Sequence, residues 1–384
     1  MAELPRDPII GDGIVLRPFT DADIDDMTTA MNDPETQRFL QGLPSPYTRA
    51  DAAHWVGTRV PAMWAAGAGH HRAVADPTTG RLLGAVGLGA TRLAGHATSI
   101  GYWVAPWARG QHVATKATRT LASWAFTQGF GRIELTTDFT NEGSQRVAIA
   151  AGFAHEGVRR SVGVTREGVW RDLVIWARLA DDSGDPIPRV LPDLVGGQLS
   201  DGVVTLRPMR ASDADDMYAL ASLPEVVATT VSDRMPTREW ALRRCSHVAY
   251  HWLIGARIDF AICDAENGAF AGDIGLFTEP PTGQAMIGYS VAREFRGRAF
   301  AARAARLVAD WAIDEAGIAR VIAGAAPDNV GSQRSLEKAG FTREGYERSR
   351  LPGRDGGPRI DDVVYTLLPS DRQPPSFSGV TRDG

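Results

Sequence analysis

Cysteine is scarce in this chain, with two in 384 residues, Cys245 and Cys263. One spacing between two thiols fits no metal-ligand pattern, so both read as inert thiols and no metal is expected. So few cysteines suit a reducing cytoplasm. Long apolar runs are missing too. No stretch approaches the ~18 residues of a membrane-spanning helix, so no membrane partner is expected. The opening residues, Met1-Ala-Glu-Leu-Pro-Arg-Asp, lack the basic start and apolar run of a signal peptide. An excess of positive charge is also absent. The formal net charge of -5 argues against a nucleic-acid partner and is compatible with a cationic acceptor. A chain of this length with 43% hydrophobic and 23% charged residues is expected to be globular and soluble, with two domains that each bury a core.

What the chain does have is a long repeat. Gly13-Ile-Val-Leu-Arg-Pro returns as Gly202-Val-Val-Thr-Leu-Arg-Pro, and Ile100-Gly-Tyr-Trp-Val as Ile287-Gly-Tyr-Ser-Val. Arg109-Gly-Gln-His-Val-Ala returns as Arg296-Gly-Arg-Ala-Phe-Ala. Asn141-Glu-Gly-Ser-Gln-Arg returns as Asn329-Val-Gly-Ser-Gln-Arg, and Gly152-Phe-Ala-His-Glu-Gly as Gly340-Phe-Thr-Arg-Glu-Gly. The order is kept and the offset stays at roughly 190 positions, too long for a solenoid and right for a duplicated domain.

The expected division is a first domain over 1–180, a linker over 181–197, a second domain over 198–369 and a disordered tail over 370–384. Within each copy, strands and helices mix locally. In copy one Ile14-Val-Leu-Arg reads as a strand, and Asp21-Ala-Asp-Ile-Asp-Asp-Met starts a helix with acids in its first turn. Thr48, with Asp51 three residues on, caps a second helix, and Thr237 holds the same place in copy two. His71 to Asp76 and Leu82 to Leu88 form a hairpin around Asp76-Pro-Thr-Thr-Gly. A strand ending at Val104 leads through a short loop into a helix from Val113 to Phe126, with Val113, Ala117, Leu121, Trp124 and Ala125 on one stripe. The fold class is α+β, with a mixed, mostly antiparallel sheet flanked by helices in each copy.

The strongest chemical signal is the strand–loop–helix junction at Arg109 and again at Arg296. The first amides of a helix have no internal partner, and the helix dipole makes that end positive, a ready site for phosphate. Gly110 and Gly297 let the loop amides face one centre, and Arg109 and Arg296 would add charge-assisted hydrogen bonds. The plain alternative is a loop-to-helix turn. No Gly-Lys-Ser/Thr ends the loop and the three-glycine dinucleotide spacing is missing, so a pyrophosphate ligand of another kind fits better.

These loops resemble the acetyl-CoA pyrophosphate motif of the GNAT superfamily of N-acetyltransferases, Gln/Arg-x-x-Gly-x-Gly/Ala. Leu-Arg-Pro at each start, Ile-Gly-Tyr before the loop, Asn-x-x-Ser and Gly-Phe-x-x-Glu-Gly resemble its ribosomal-protein alanine N-terminal acetyltransferase branch. The resemblance covers nearly the whole chain as two domains. It implies acetyl-CoA as acyl donor, held in copy one by Trp103, Val104, Arg109, Gly110, Gln111, His112, Val113, Ala114, Thr115 and Asn141. In copy two the holders are Ser290, Val291, Arg296, Gly297, Arg298, Ala299, Phe300, Ala301 and Asn329. His112 and Ala299 depart from the usual glycine. Thr115 offers a hydroxyl where copy two has Ala302, and copy two gains Arg298; at least one copy is expected to be active, and the kept Thr115 points to copy one as the cofactor-competent half.

The implied reaction is direct transfer of an acetyl group to a primary amine, with backbone amides near Trp103–Val104 and Ser290–Val291 polarising the thioester. The resemblance makes Ser144 and Ser332 the acids that protonate the leaving thiolate, while Asn-x-x-Ser also reads as a helix cap. The tyrosine acid of another GNAT arrangement is absent, since Ala148 and Leu336 occupy its place. The base stays open. Glu134, Glu167 and Glu347 read first as surface carboxylates, Glu156 and Glu344 as structural, and Asp172 and Asp362 as a shared pair of either kind. Trp103 and Trp107 are placed to line an acceptor cleft that has Ser290 and Phe295 in copy two. The acceptor is a small-molecule amine or a protein N-terminus. The duplication implies an internal pseudo-dimer and leaves a homodimer open. The competing reading is an acyl-CoA-binding sensor or scaffold with one or both copies inactive.

Overall fold

The computed structural model describes residues 4–89, 96–230, 235–353 and 357–372. The chain forms two compact units, Met1–Pro188 and Arg189–Gly384, each with its own eight-stranded sheet.

In unit 1 the strands are β1 (Ile9–Gly11), β2 (Ile14–Arg17), β3 (His70–Ala75), β4 (Leu82–Leu88), β5 (Ala97–Val104), β6 (Arg132–Thr137), β7 (Ala154–Val164) and β8 (Trp170–Leu179). They lie in the order β1-β2-β3-β4-β5-β6-β8-β7. Among the described residues only β5 and β6 run parallel, so the sheet is mixed and mostly antiparallel. The helices are α1 (Ile24–Met31), α2 (Pro34–Phe39), α3 (Arg49–His54), α4 (Val60–Ala65), α5 (Val113–Thr127) and α6 (Glu142–Ala150). Thr48 and Asp51 close a capping box at the start of α3. Val113, Ala117, Leu121 and Ala125 are buried along one face of α5, while Trp124 is half-buried beside the Arg72 guanidinium.

Unit 2 repeats the plan. Its strands are β9 (Leu199–Ser200), β10 (Val204–Pro208), β11 (Arg257–Asp264), β12 (Phe270–Glu279), β13 (Gln284–Val291), β14 (Arg320–Ala325), β15 (Thr342–Leu351) and β16 (Ile360–Leu367), in the order β9-β10-β11-β12-β13-β14-β16-β15. Its helices are α7 (Ala214–Ala221), α8 (Pro224–Val227), α9 (Arg238–Ser246), α10 (Val248–Leu253), α11 (Phe300–Asp314) and α12 (Val330–Lys338). The β13–β14 pair is the parallel one.

Leu-Arg-Pro has a structural reason in both units. Arg17 makes a two-pronged ion pair with the buried Asp23 at 2.7 and 2.8 Å, and Arg207 does the same with Asp213 at 2.8 Å for both bonds. Each pair ties the second strand of its unit to the start of the helix that follows.

The segment expected as a linker is divided between the units. Ile187 donates its amide to Ile149 O in unit 1. Leu191 and Leu194 are buried in the unit 2 core, and Trp252 donates to Pro192 O at 3.0 Å. The apolar side chains within 181–197 explain why it packs. Of the segment expected as a tail, Arg372 ion-pairs with Asp310 and Asp314, and 373–384 lie outside the described residues.

Candidate functional site

The parallel pair is where each sheet opens. In unit 1 the β5–β6 ladder covers Ala97 to Ser99, while β5 stays paired with β4 from Ile100 to Val104. In unit 2, β13 pairs with β14 from Gln284 to Ile287, and with β12 on to Val291. The ends Gly101–Val104 and Gly288–Val291 therefore run beyond the parallel ladder beside a gap. The carbonyl of Ser290 presses so close to Gly272 that an added Cβ would lie 2.1 Å from it, and Gly84 meets Trp103 O in the same way at 2.3 Å.

The loops that follow point helix starts at this gap. His112 and Ala299 cap α5 and α11 in the left-handed conformation, with φ of 59° and 63°. That explains why glycine is usual there: the strain comes from the backbone angle. Gly110 and Gly297 are left-handed too, at 73° and 74°. Val113 and Phe300 turn their side chains into the core, whereas Ala114, Thr115 and Ala301 are half-buried in the first helical turn.

The loop arginines are engaged within their own units. Arg109 binds Asp33 and Thr36, at the start of α2, and holds the Asp33 carboxyl below its ordinary range. Arg296 donates to Val291 O at 3.0 Å and to Glu225 at 3.3 Å. Arg298 is paired with Asp264 at 2.8 Å and stacked over Phe295 and Phe300, and Gln111 donates to Trp107 O. Backbone amides of the loop and first turn are thus the groups best disposed to meet a diphosphate.

Across the gap stand Asn141 and Ser144 at the start of α6, and Asn329 and Ser332 at the start of α12. Asn141 accepts from the Ser144 amide at 3.0 Å and Asn329 from the Ser332 amide at 3.1 Å, so the cap is formed in both units. The serine hydroxyls meet tyrosines. Tyr102 lies 2.8 Å from Ser144 Oγ, and Tyr289 3.0 Å from Ser332 Oγ. Burial pushes both phenols up, Tyr289 to about 12, against the pull of the serine. Neither tyrosine was singled out as a site residue from the sequence, although Ile-Gly-Tyr in both copies carried the signal.

In unit 2 these parts line a cavity of about 450 Å³ that is open to solvent on one side. It is lined by Tyr289, Ser290 and Val291 of β13, by Arg296, Gly297, Ala299, Phe300 and Ala301, by Asn329 and Ser332, and by Glu225, Val226 and Thr229 at α8. Phe295 also faces it; counted from the shared arginine it stands where unit 1 has Ala108, and Glu294 stands where unit 1 has Trp107. In unit 1, Trp107 is tied down by a 2.9 Å bond to Leu82 O, and both Trp103 and Trp107 pack against the apolar cluster around Met27 and Val56.

The carboxylates weighed as bases are mostly committed elsewhere. Burial raises the Glu134 pKa, but Arg132 and Arg159 outweigh it and hold the carboxyl low; its counterpart by register is Ile322. Glu156 is bound by Arg132, Glu344 by Arg320 and Glu347 by Arg350. Glu167 lies exposed in the β7–β8 turn. The pairing of Asp172 with Asp362 needs correction. Val174 and Val363 occupy matching register positions, so Asp172 corresponds to Asp361; both accept an amide bond from a bulge serine, Ser161 or Ser349. Asp362 stands where unit 1 has Leu173, buried and paired with Arg350 at 2.8 Å.

Both cysteines are buried, and burial pushes the Cys245 thiol up to about 12. Among the described residues no group of His, Cys, Asp or Glu is arranged to hold a metal ion, and no helix is long and apolar enough to cross a membrane.

A family model described as an acetyltransferase (GNAT) domain matches residues 14–154 and again 204–342. The probable N-acetyltransferase YjcK of Bacillus subtilis is 30% identical over 177 residues, 44% of this chain and 97% of its own length. The uncharacterized N-acetyltransferase p20 of Bacillus licheniformis is 28% identical over 43% of this chain and 92% of its own. Among solved structures, Mycobacterium smegmatis RimJ in complex with CoA-disulfide covers 48% of this chain and 91% of its own, with 25% identity and a TM-score of 0.41. Each of these relatives spans less than half of this chain, and the family model matches it twice in order. The chain belongs to the GNAT acetyltransferase family, as an enzyme built of two GNAT domains in tandem.

Proposed function

We propose that this chain moves the acetyl group of acetyl-CoA onto a primary amine, a protein N-terminus or a small-molecule amine, and that unit 2 performs the transfer. The observation that carries this reading is the unit 2 cavity, which joins the start of α11, the open end of β13 and Ser332 in one space of about 450 Å³. Its lining fits the donor: helix-start amides for the diphosphate, a strand edge for the pantetheine arm, and a hydroxyl where a thiolate leaves.

In this reading the loop over 297–300 and the first turn of α11 hold the diphosphate. The backbone at Ser290–Val291 orients and polarises the thioester carbonyl. Ser332 gives its proton to the departing sulfur, and Tyr289 holds the Ser332 hydroxyl in place. Unit 1 carries the same skeleton, with Tyr102 on Ser144. Trp103 in the place of Ser290 favours a second reading for that unit, a CoA-binding or purely structural partner.

The test is acetylation of a peptide with a free N-terminal alanine and of a polyamine by the intact chain, with Ser144→Ala and Ser332→Ala beside it. The reading expects Ser332→Ala to cut turnover by roughly 10²-fold or more while acetyl-CoA binding persists. Full turnover in that variant would move the chemistry to unit 1.

A further inference from the structure

The base is the one chemical role that the motifs leave open. We infer that Asp273 and Ser290 form a proton-accepting pair that serves unit 2, and that unit 1 has no counterpart of it. This inference rests on the acetyl-transfer reading.

Asp273 on β12 and Ser290 on β13 stand directly opposite in register. Ser290 lines the cavity, beside the gap where the amine must approach. Asp273 lies behind it, 4% exposed. One carboxylate oxygen, Oδ2, accepts from Arg244 of α9 at 2.9 Å. The other, Oδ1, is buried and carries no hydrogen bond among the described residues in this conformation, so the Ser290 hydroxyl, opposite it in register, has a free acceptor to turn onto. Arg244 is shared: it also donates to Asp259 of β11 at 2.8 Å, and Asp259 is met by Arg257 as well. Cys245, on the same helix as Arg244, completes the groups around the carboxylate.

The balance of these neighbours sets the proton affinity. Burial pushes the Asp273 pKa up and Asp259 adds to it, while Arg244 and the Ser290 hydroxyl pull it back. The net direction is upward, which moves the carboxylate toward the range of an effective base at neutral pH.

The same register positions in unit 1 carry different chemistry. Ala85 stands opposite Trp103, so both members of the pair are absent. His71 faces Gly87 as Asp259 faces Gly275, and it packs edge-on against Trp55 at 5.3 Å. Where unit 2 has two carboxylates, a guanidinium and a hydroxyl, unit 1 has two tryptophans, a histidine and an alanine.

The acceptor nitrogen bonds to the acetyl carbon and the carbon–sulfur bond breaks. The nitrogen's proton passes to Ser290 Oγ as the Ser290 hydroxyl proton passes to the Asp273 carboxylate. Ser332 protonates the sulfur and is reprotonated from water, to which Asp273 then loses its proton. Asp273 touches no substrate and is a positioning residue.

The test uses the intact Ser144→Ala chain, so that unit 2 alone turns over, with an alanine-headed peptide as acceptor. Ser290→Ala and Asp273→Asn should each lower kcat/KM by roughly 10²-fold, shift the acid limb of its pH profile and leave acetyl-CoA affinity unchanged. An acceptor-free readout accompanies it. Infrared difference spectra across pH should show a carboxylic-acid band that titrates above the ordinary aspartate range, disappears in Asp273→Asn and moves in Ser290→Ala. If Asp273→Asn does not fold, Ser290→Ala, which keeps the Arg244 ion pair, carries the test. A pH profile and a carboxyl band both unchanged in Ser290→Ala overturn the pair. Failure of the unaltered chain to bind acetyl-CoA overturns the transfer reading instead, and the infrared test still decides the pair.

Discussion

Tyr289 OH lies 3.0 Å from Ser332 Oγ, and the same phenol reaches the Ser332 carbonyl at 3.3 Å. The strand residue of Ile-Gly-Tyr thus fixes the helix-start residue of Asn-x-x-Ser, and two motifs far apart in sequence form one constellation. Tyr102 and Ser144 repeat it in unit 1.

Removing the Tyr289 hydroxyl should therefore loosen Ser332 without emptying the site. Tyr289→Phe keeps the ring and is expected to lower kcat about 10-fold, less than Ser332→Ala, with KM for acetyl-CoA little changed. Steady-state kinetics read the split. A rise in KM with kcat intact would give the tyrosine a binding role instead.

The left-handed caps make a stability prediction. Ala299 has φ of 63°, and a side chain in that region costs roughly 1–2 kcal/mol that glycine does not incur. Ala299→Gly should stabilise unit 2 by about 1 kcal/mol, after the extra freedom glycine gains in the unfolded chain. A rise in melting temperature checks it; a fall would mean that the alanine methyl packs favourably enough to offset its strain.

Two glycines of the β12–β13 pair should respond unequally. A Cβ on Gly272 would sit 2.1 Å from Ser290 O, so Gly272→Ala must push β12 away from β13, at a cost of about 1–3 kcal/mol. Gly288 has open space around its Cβ position, and Gly288→Ala should change stability by less than about 1 kcal/mol. Denaturant titration of both variants compares them directly.

Acid should weaken unit 2 through Asp213. Burial raises its pKa, but the bonds from Arg207 and Arg210 outweigh that, and the net shift is downward. A carboxylate lowered on folding contributes stability that is full above its unfolded pKa of about 3.9 and is lost as pH falls through the folded value. Stability should therefore decline below about pH 4, and Asp213→Asn should flatten that decline. At neutral pH, Arg207→Ala should cost about 3–5 kcal/mol, because it strands a buried carboxylate.

Much of this was legible in the residues because it is local or repeated. Helix stripes, the Thr48 cap, the β3–β4 turn and the strand–loop–helix order follow from spacing within a few residues. The duplication marked Arg17 and Arg207, Tyr102 and Tyr289, and Ser144 and Ser332 as shared. What spacing could not give was cross-strand register. Asp172 matches Asp361 rather than Asp362 because each lies two residues before the valine, Val174 or Val363, that faces the same position of β6 or β14. Asp273 stayed hidden because Ala85 holds its place in unit 1, so the repeat was silent where the units differ in chemistry. The engagement of Arg109 with Asp33 depends on a carboxylate 76 residues away.

The most direct test of the central claim, that unit 2 holds acetyl-CoA in its cavity, is calorimetric titration of the intact chain with acetyl-CoA, beside the variant Ala301→Trp. Ala301 lines the cavity from the first turn of α11, and an indole there would obstruct the helix start. The account predicts saturable binding by the unaltered chain and the loss of one site in the variant. No binding by the unaltered chain, or the same stoichiometry and affinity in both, would contradict it.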